Sequence, residues 1–188
     1  MTTGMIIGLI VVLAVVLLAV WGVGAYNSFV KMRNRIEEAF ATMDVYLKKR
    51  YDLVPNLVET VKGYAAHESG TLEKVIQARN AASSSTTTEE RAANENILTG
   101  TLKSLFAVAE AYPDLKANTN FMDLQRQLQR LEDEIANSRK YYNAVVKEFN
   151  TKTETFPSNL IAGVFHFTRQ TMFEAAGDEE RQAVKVQF

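Results

Sequence analysis

His67 and His166 are the only two histidines in this chain of 188 residues, and it has no cysteine. His67 precedes Glu68, which is how a zinc-peptidase motif begins: two histidines four apart on a helix share a metal and the glutamate activates water. Position 71 is Thr71, so the spacing fails. A di-iron bundle needs a glutamate three residues before its histidine, and those places hold Tyr64 and Gly163. Lack of cysteine excludes disulfides, thiolate zinc, Fe–S clusters, cysteine nucleophiles and a lipid-modified N-terminal cysteine. The sequence offers neither a Gly-rich phosphate loop ending in Lys-Ser/Thr nor a dinucleotide fingerprint. A serine nucleophile would need His67 or His166 as its base. The remaining catalytic reading, a hydrolase built on His67 and Glu68, has the missing motifs against it. No enzyme, metal or cofactor is expected.

A second group of polar residues surrounds Pro55: Asp44, Lys48, Lys49, Arg50, Asp52, Asn56, Glu59, Lys62, His67 and Glu68. They suit either a partner-binding surface or salt bridges and caps that join two helices. The second reading is preferred, because charges in helical bundles usually form solvated or paired faces.

The elements that must position these residues are helices. Nine Gly and three Pro are too few for the closely spaced turns of a sandwich or barrel. With 21 Lys+Arg against 22 Asp+Glu, the chain lacks the basic surplus that bulk nucleic-acid binding requires.

Met5 to Val23 is an unbroken apolar or Gly run, and no charge occurs among the first 30 residues. As a helix the run is roughly 30 Å long, the thickness of a bilayer core. It has no polar stripe to mark a buried core helix, and it lacks the basic start and short apolar stretch of a cleaved signal. Residues 1–25 are therefore read as a single transmembrane anchor. Lys31, Arg33 and Arg35 follow it and only Thr2, Thr3 and Gly4 lie near its start, so the positive-inside rule predicts an outside N-terminus and a cytoplasmic bundle at the inner membrane. Trp21 and Tyr26 then fall near the inner headgroups.

Residues 26–188 read as a bundle. Phe29, Met32, Ile36, Phe40, Met43 and Leu47 mark a first helix that no Gly or Pro separates from Tyr26. Pro55 is expected to end or kink it. A second helix should run from about Pro55 to Ala82, with Leu57, Val61, Tyr64, Leu72, Val75 and Arg79 on one side and a bend near Ser69. Ser83 to Thr88 reads as a loop, and Thr86 with Glu89 or Thr87 with Glu90 as a capping box. Leu98, Leu102, Leu105, Ala109 and Tyr112 make a third stripe, stopped by Pro113. Asn118 to Asn120 offers a cap for a fourth, where Phe121, Leu124, Leu128, Leu131, Ile135, Ser138, Tyr142, Val145 and Phe149 alternate without a break. That coiled-coil-like repeat calls for near-antiparallel packing. The expected fold is all-α: a transmembrane helix continuing into an antiparallel up-down bundle of about four long helices.

The tail from Pro157 to Phe173 carries Leu160, Ile161, Val164, Phe165, Phe167, Met172 and Phe173. It could close an end of the bundle, or lie against the bilayer surface or a second subunit.

The anchor, followed by YNSFVKMRNRIEEAF at 26–40, DVYLKKRYDLVPNLVETVKGYAAHE at 44–68, AR at 78–79, AYPDLKAN at 111–118, NF at 120–121, LQ at 124–125, YYN at 141–143 and FN at 149–150, resembles the LemA family of bacterial membrane proteins. Phe40 and Tyr46 stand where many members have Trp and Gln. The resemblance implies a single-pass protein with a cytosolic helical bundle, no established catalytic activity, and partners in membrane organisation, in signalling through a sensor kinase, or at an HtpX-like membrane peptidase. The matching positions Arg33, Asn34, Asp44, Arg50, Asp52, Pro55, Asn56, Glu59, His67, Glu68, Arg79, Pro113, Asp114, Lys116, Asn118 and Asn120 become candidates for structural or contact roles. A self-associating membrane scaffold is the first expectation, with an adaptor for such a peptidase or kinase as the alternative.

Overall fold

The computed structural model describes residues 3–173, and these are helical throughout apart from short connections. Helix α1 spans Thr3–Lys62, α2 Ser69–Ser84, α3 Thr88–Ala109, α4 Pro113–Lys116, α5 Thr119–Glu154 and α6 Ser158–Val164. The apolar run and the first stripe of the bundle thus belong to one helix of 60 residues.

Of the two outcomes expected at Pro55, an end or a kink, the end does not occur, because the helix runs on through it. Val54, Leu57 and Val61 are fully buried on either side of it and hold the turn in place. Helix α1 ends instead at Gly63, whose amide still reaches the Glu59 carbonyl at 3.3 Å. A 3-10 turn at Ala66–Glu68 comes next, so the predicted second helix begins at Ser69, the position of the expected bend, rather than at Pro55. Tyr64, assigned to that helix's inner side, is exposed.

The capping expectations hold at Thr87 and Asn118. Thr87 Oγ1 accepts from the Glu90 amide at 3.1 Å, and the Glu90 carboxylate takes the Thr86 amide at 3.1 Å. Asn118 Oδ1 accepts from the Phe121 amide at 2.9 Å and starts α5. Pro113 opens the one-turn α4 at the place where a missing amide costs nothing.

The chain forms two compact units. Among the described residues, the first comprises those up to Ala39 with Ala144–Gln170, and the second comprises Phe40–Asn143 with those from Thr171 onward. In the second unit the contacts fix the helix directions. Residues 40 and 50 of α1 meet 142 and 132 of α5, so these helices are antiparallel. Residues 44 and 50 meet 91 and 99 of α3, so α1 and α3 run the same way. Helices α2 and α3 pack as a hairpin across a short loop. The second unit is the expected up-down bundle, with Met43, Leu47, Val75, Leu98, Leu105 and Ile135 in its core.

In the first unit, α1 and α5 are again antiparallel. Phe29 meets Phe149 edge-on at 5.8 Å, and Lys152 Nζ bonds Ser28 Oγ. From Gly4 to Val20 the side chains of α1 are exposed.

Candidate functional site: a buried charge cluster and an apolar segment after α5

The stripe of α1 in the second unit carries a charge into the core. Met43, Leu47, Arg50 and Val54 succeed one another at helical spacing, and the Arg50 side chain is fully buried. Its Nη2 pairs with Glu95 Oε2, and Nη1 donates to Glu132 Oε1 at 2.6 Å and Thr99 Oγ1 at 3.3 Å. Tyr51 donates its hydroxyl to Glu95 Oε1, and Arg139 Nη2 stands 3.9 Å from Glu95 Oε2. Burial pushes the Tyr51 hydroxyl above its ordinary range, with the Arg50 charge opposing the shift. Two arginines and two glutamates balance in charge and join α1, α3 and α5.

This cluster is poorly suited to acid–base work. Arg50 and Glu95 are fully buried, out of reach of a substrate, and their charged ends are engaged by one another and by Tyr51, Thr99 and Glu132. Its effect is on packing. A buried pair loses several kcal/mol of hydration per ion, which only good geometry offsets, so sliding one helix past another would strand a charge.

The other predicted polar residues separate into distinct roles. Asp44 pairs with Arg91, whose guanidinium also lies 5.4 Å over the Phe40 ring. Arg79 Nε donates to the Tyr51 carbonyl at 3.0 Å. Glu68 accepts from the Tyr112 hydroxyl at 3.4 Å, while His67 is exposed on the 3-10 turn. Glu59 sits 3.6 Å from Lys62 on the surface. Asp52 and Asn56 line an open groove of about 470 Å³ with Lys49, Gln127, Arg130 and Glu134. Among the described residues, no group of three or more His, Asp or Glu side chains is placed to hold a metal ion.

Sequence reasoning missed Glu95, Glu132 and Arg139. Glu95 had a usable signal: three residues before Leu98, it continues the buried stripe of α3 back to Ala92. The tail clamps were missed too, although their residues lie in the YYN and FN motifs. In the second unit Asn143 donates to the Phe173 carbonyl at 2.9 Å and accepts from its amide at 2.8 Å. In the first unit Asn150 does the same for Gln170, both bonds at 2.8 Å.

The remaining candidates lie in the first unit. Trp21, Lys31, Arg33 and Arg35 are exposed, and Lys31 and Arg35 line an open groove with Ser28, Glu38, Glu148 and Lys152. Tyr26 packs against Phe165 at 4.7 Å and Phe167 at 5.8 Å. Phe167 stacks on Phe29 at 4.8 Å, whereas Phe165 is half exposed.

His166 has a local structural role. Its φ of 57° is left-handed; its amide reaches the Gly163 carbonyl at 3.4 Å and the Phe167 amide reaches Ala162 at 2.9 Å. This bond pair closes a helix in the manner usual for glycine. It turns the chain so that Phe167 meets Phe29.

An all-helical chain with a long apolar helix and a charge-balanced core defines the class: a membrane-associated helical protein. The profile of the LemA family matches residues 39–188, and the chain belongs to that family. It is 28% identical over 158 residues to protein LemA of Metamycoplasma hominis, covering 82% of this chain and 71% of that one. It is 26% identical over 181 residues to magnetosome protein MamQ 2 of Paramagnetospirillum magneticum, covering 81% of this chain and 66% of the relative. For MamQ of Magnetospirillum gryphiswaldense the identity is 24% over the same length and shares.

Proposed function

We propose that this chain is a non-enzymatic scaffold, anchored in the bacterial inner membrane, that self-associates and presents a cytoplasmic helical bundle to other proteins. The observation that carries this reading is α1. Its N-terminal part is apolar and uncovered, whereas its residues from Phe29 to Val61 supply core positions of the helical units. One helix suited to two solvents ties the packed units to a membrane. Lys31, Arg33 and Arg35 on the C-terminal flank of the apolar run favour the cytoplasmic side for the bundle.

Self-association has support within the span. Gly4 and Gly8 lie four apart with nothing near either, the spacing that lets two membrane helices approach backbone to backbone. The exposed groove that contains Asp52 and Asn56 gives partners an apolar floor, with Leu53 and Leu131, rimmed by charged and polar side chains.

Crosslinking the tagged full-length protein in intact cells, with mass spectrometry of the products, tests this function. Self-crosslinks in excess over any other protein support a scaffold. A single dominant heterologous partner, such as a membrane peptidase or a sensor kinase, would make it an adaptor whose role is the partner's.

A further inference from the structure

We infer that residues Phe156–Phe165, centred on α6, form a second membrane contact that lies in the headgroup–acyl boundary beside the span. This rests on the proposal that α1 crosses the bilayer. Between Glu154 and Arg169, which pair with each other, the chain carries no Asp, Glu, Lys or Arg. Three of its large apolar side chains point away from the protein, with Phe156 79% exposed, Leu160 57% and Val164 69%, and Phe165 beside Tyr26 is 51% exposed. Phe156, Leu160 and Val164 recur every four residues, so the latter two share one face of α6. The opposite face is occupied, with Ala162 buried and Ile161 half-buried.

The position of α6 along α1 decides what covers the open face. A Cβ placed on Gly22 would meet Ile161 Cδ1 at 3.7 Å, so α6 lies against the last turn of the apolar run. That run fills a hydrocarbon core of about 30 Å, which puts its last turn at the bilayer boundary. An apolar face fixed at that depth is adjacent to lipid before any other partner arrives. The Tyr26–Phe165 ring pair belongs to the same layer, which amphipathic aromatic rings prefer. Helices that lie in this boundary bury their apolar face about 5–10 Å into it.

The experiment uses the full-length chain in phosphatidylglycerol/phosphatidylcholine vesicles whose acyl chains carry bromine. Trp21 is the sole native tryptophan, so Trp21→Phe combined with Val164→Trp gives a single reporter on α6. Brominated lipid should roughly halve emission at position 164 and leave it resistant to aqueous iodide. Quenching by iodide but not by lipid would overturn the inference, and so would shielding from both, which would assign this face to a second copy. The native Trp21 protein is the control. If lipid fails to quench Trp21, the membrane span itself is wrong, an outcome distinct from failure at α6 alone. Leu160→Cys carrying an environment-sensitive dye repeats the reading in a chain with no other cysteine, should Val164→Trp disturb packing.

Discussion

Arg79 Nε donates to the carbonyl oxygen of Tyr51 across 3.0 Å, and Tyr51 is the residue whose helical partner, Pro55, has no amide to offer. Proline inside a helix removes the bond to the carbonyl four residues earlier. Here a side chain from α2 fills the vacancy, and α1 continues for seven residues beyond Pro55. Arg79→Ala should therefore destabilise the protein by roughly 1–2 kcal/mol, the effect of losing a charged donor to a partly buried acceptor. In a Pro55→Ala background the amide returns, and the same change should become nearly neutral. Urea unfolding of the four proteins of this cycle measures the coupling; additive losses would refute the relationship.

The charge cluster makes a different demand. Arg50→Met alone leaves Glu95 buried without its guanidinium, and such one-sided loss typically costs about 3–5 kcal/mol. Combining it with Glu95→Leu removes both charges and should recover most of the stability, because a packed apolar pair avoids the dehydration penalty. Unfolding midpoints of the single and double variants give the comparison.

His166 occupies a left-handed position that favours glycine. His166→Gly should raise stability by up to about 1 kcal/mol by relieving the Cβ strain of that region, whereas His166→Val, whose branched Cβ fits it worse than histidine's, should lower stability. If His166 were instead a catalytic base, glycine would abolish the in vivo phenotype while leaving the fold intact.

Alkaline pH should loosen the second unit. Burial raises the hydroxyls of Tyr51 and Tyr142 above 10.0, so the folded state resists ionisation that the unfolded chain accepts. Below pH 10 both states hold the protons and stability is unaffected; above it the unfolded state loses them first and is favoured. Denaturation midpoints measured from pH 8 to 11 should be flat at first and then fall. Tyr51→Phe should flatten part of that decline.

Apolar periodicity made much of the fold legible. The stripes of α3 and α5 read directly, as did the caps at Thr87 and Asn118, because both signals are local. The continuation of α1 through Pro55 is not legible locally, because the donor that rescues Tyr51 comes from 28 residues away. Arg50 belongs to the polar group around Pro55 for which salt bridges and caps between helices are the preferred reading, but its spacing from Leu47 and Val54, which puts it on the core stripe, goes unused there. Its partners Glu95 and Glu132 sit 45 and 82 residues further on, where only tertiary packing assembles the cluster. Asn143 and Asn150 carried no local sign that they bind the backbone of the tail.

Stoichiometry in the native membrane tests the central claim most directly. The full-length chain, fused to a fluorescent protein at its C-terminus and expressed at native level, would be extracted in polymer-bounded membrane patches and bleached molecule by molecule. A self-associating scaffold predicts that most patches bleach in more than one step, and that Gly8→Leu shifts them toward single steps. Single-step bleaching throughout, with one other protein present in equal amount, would contradict it.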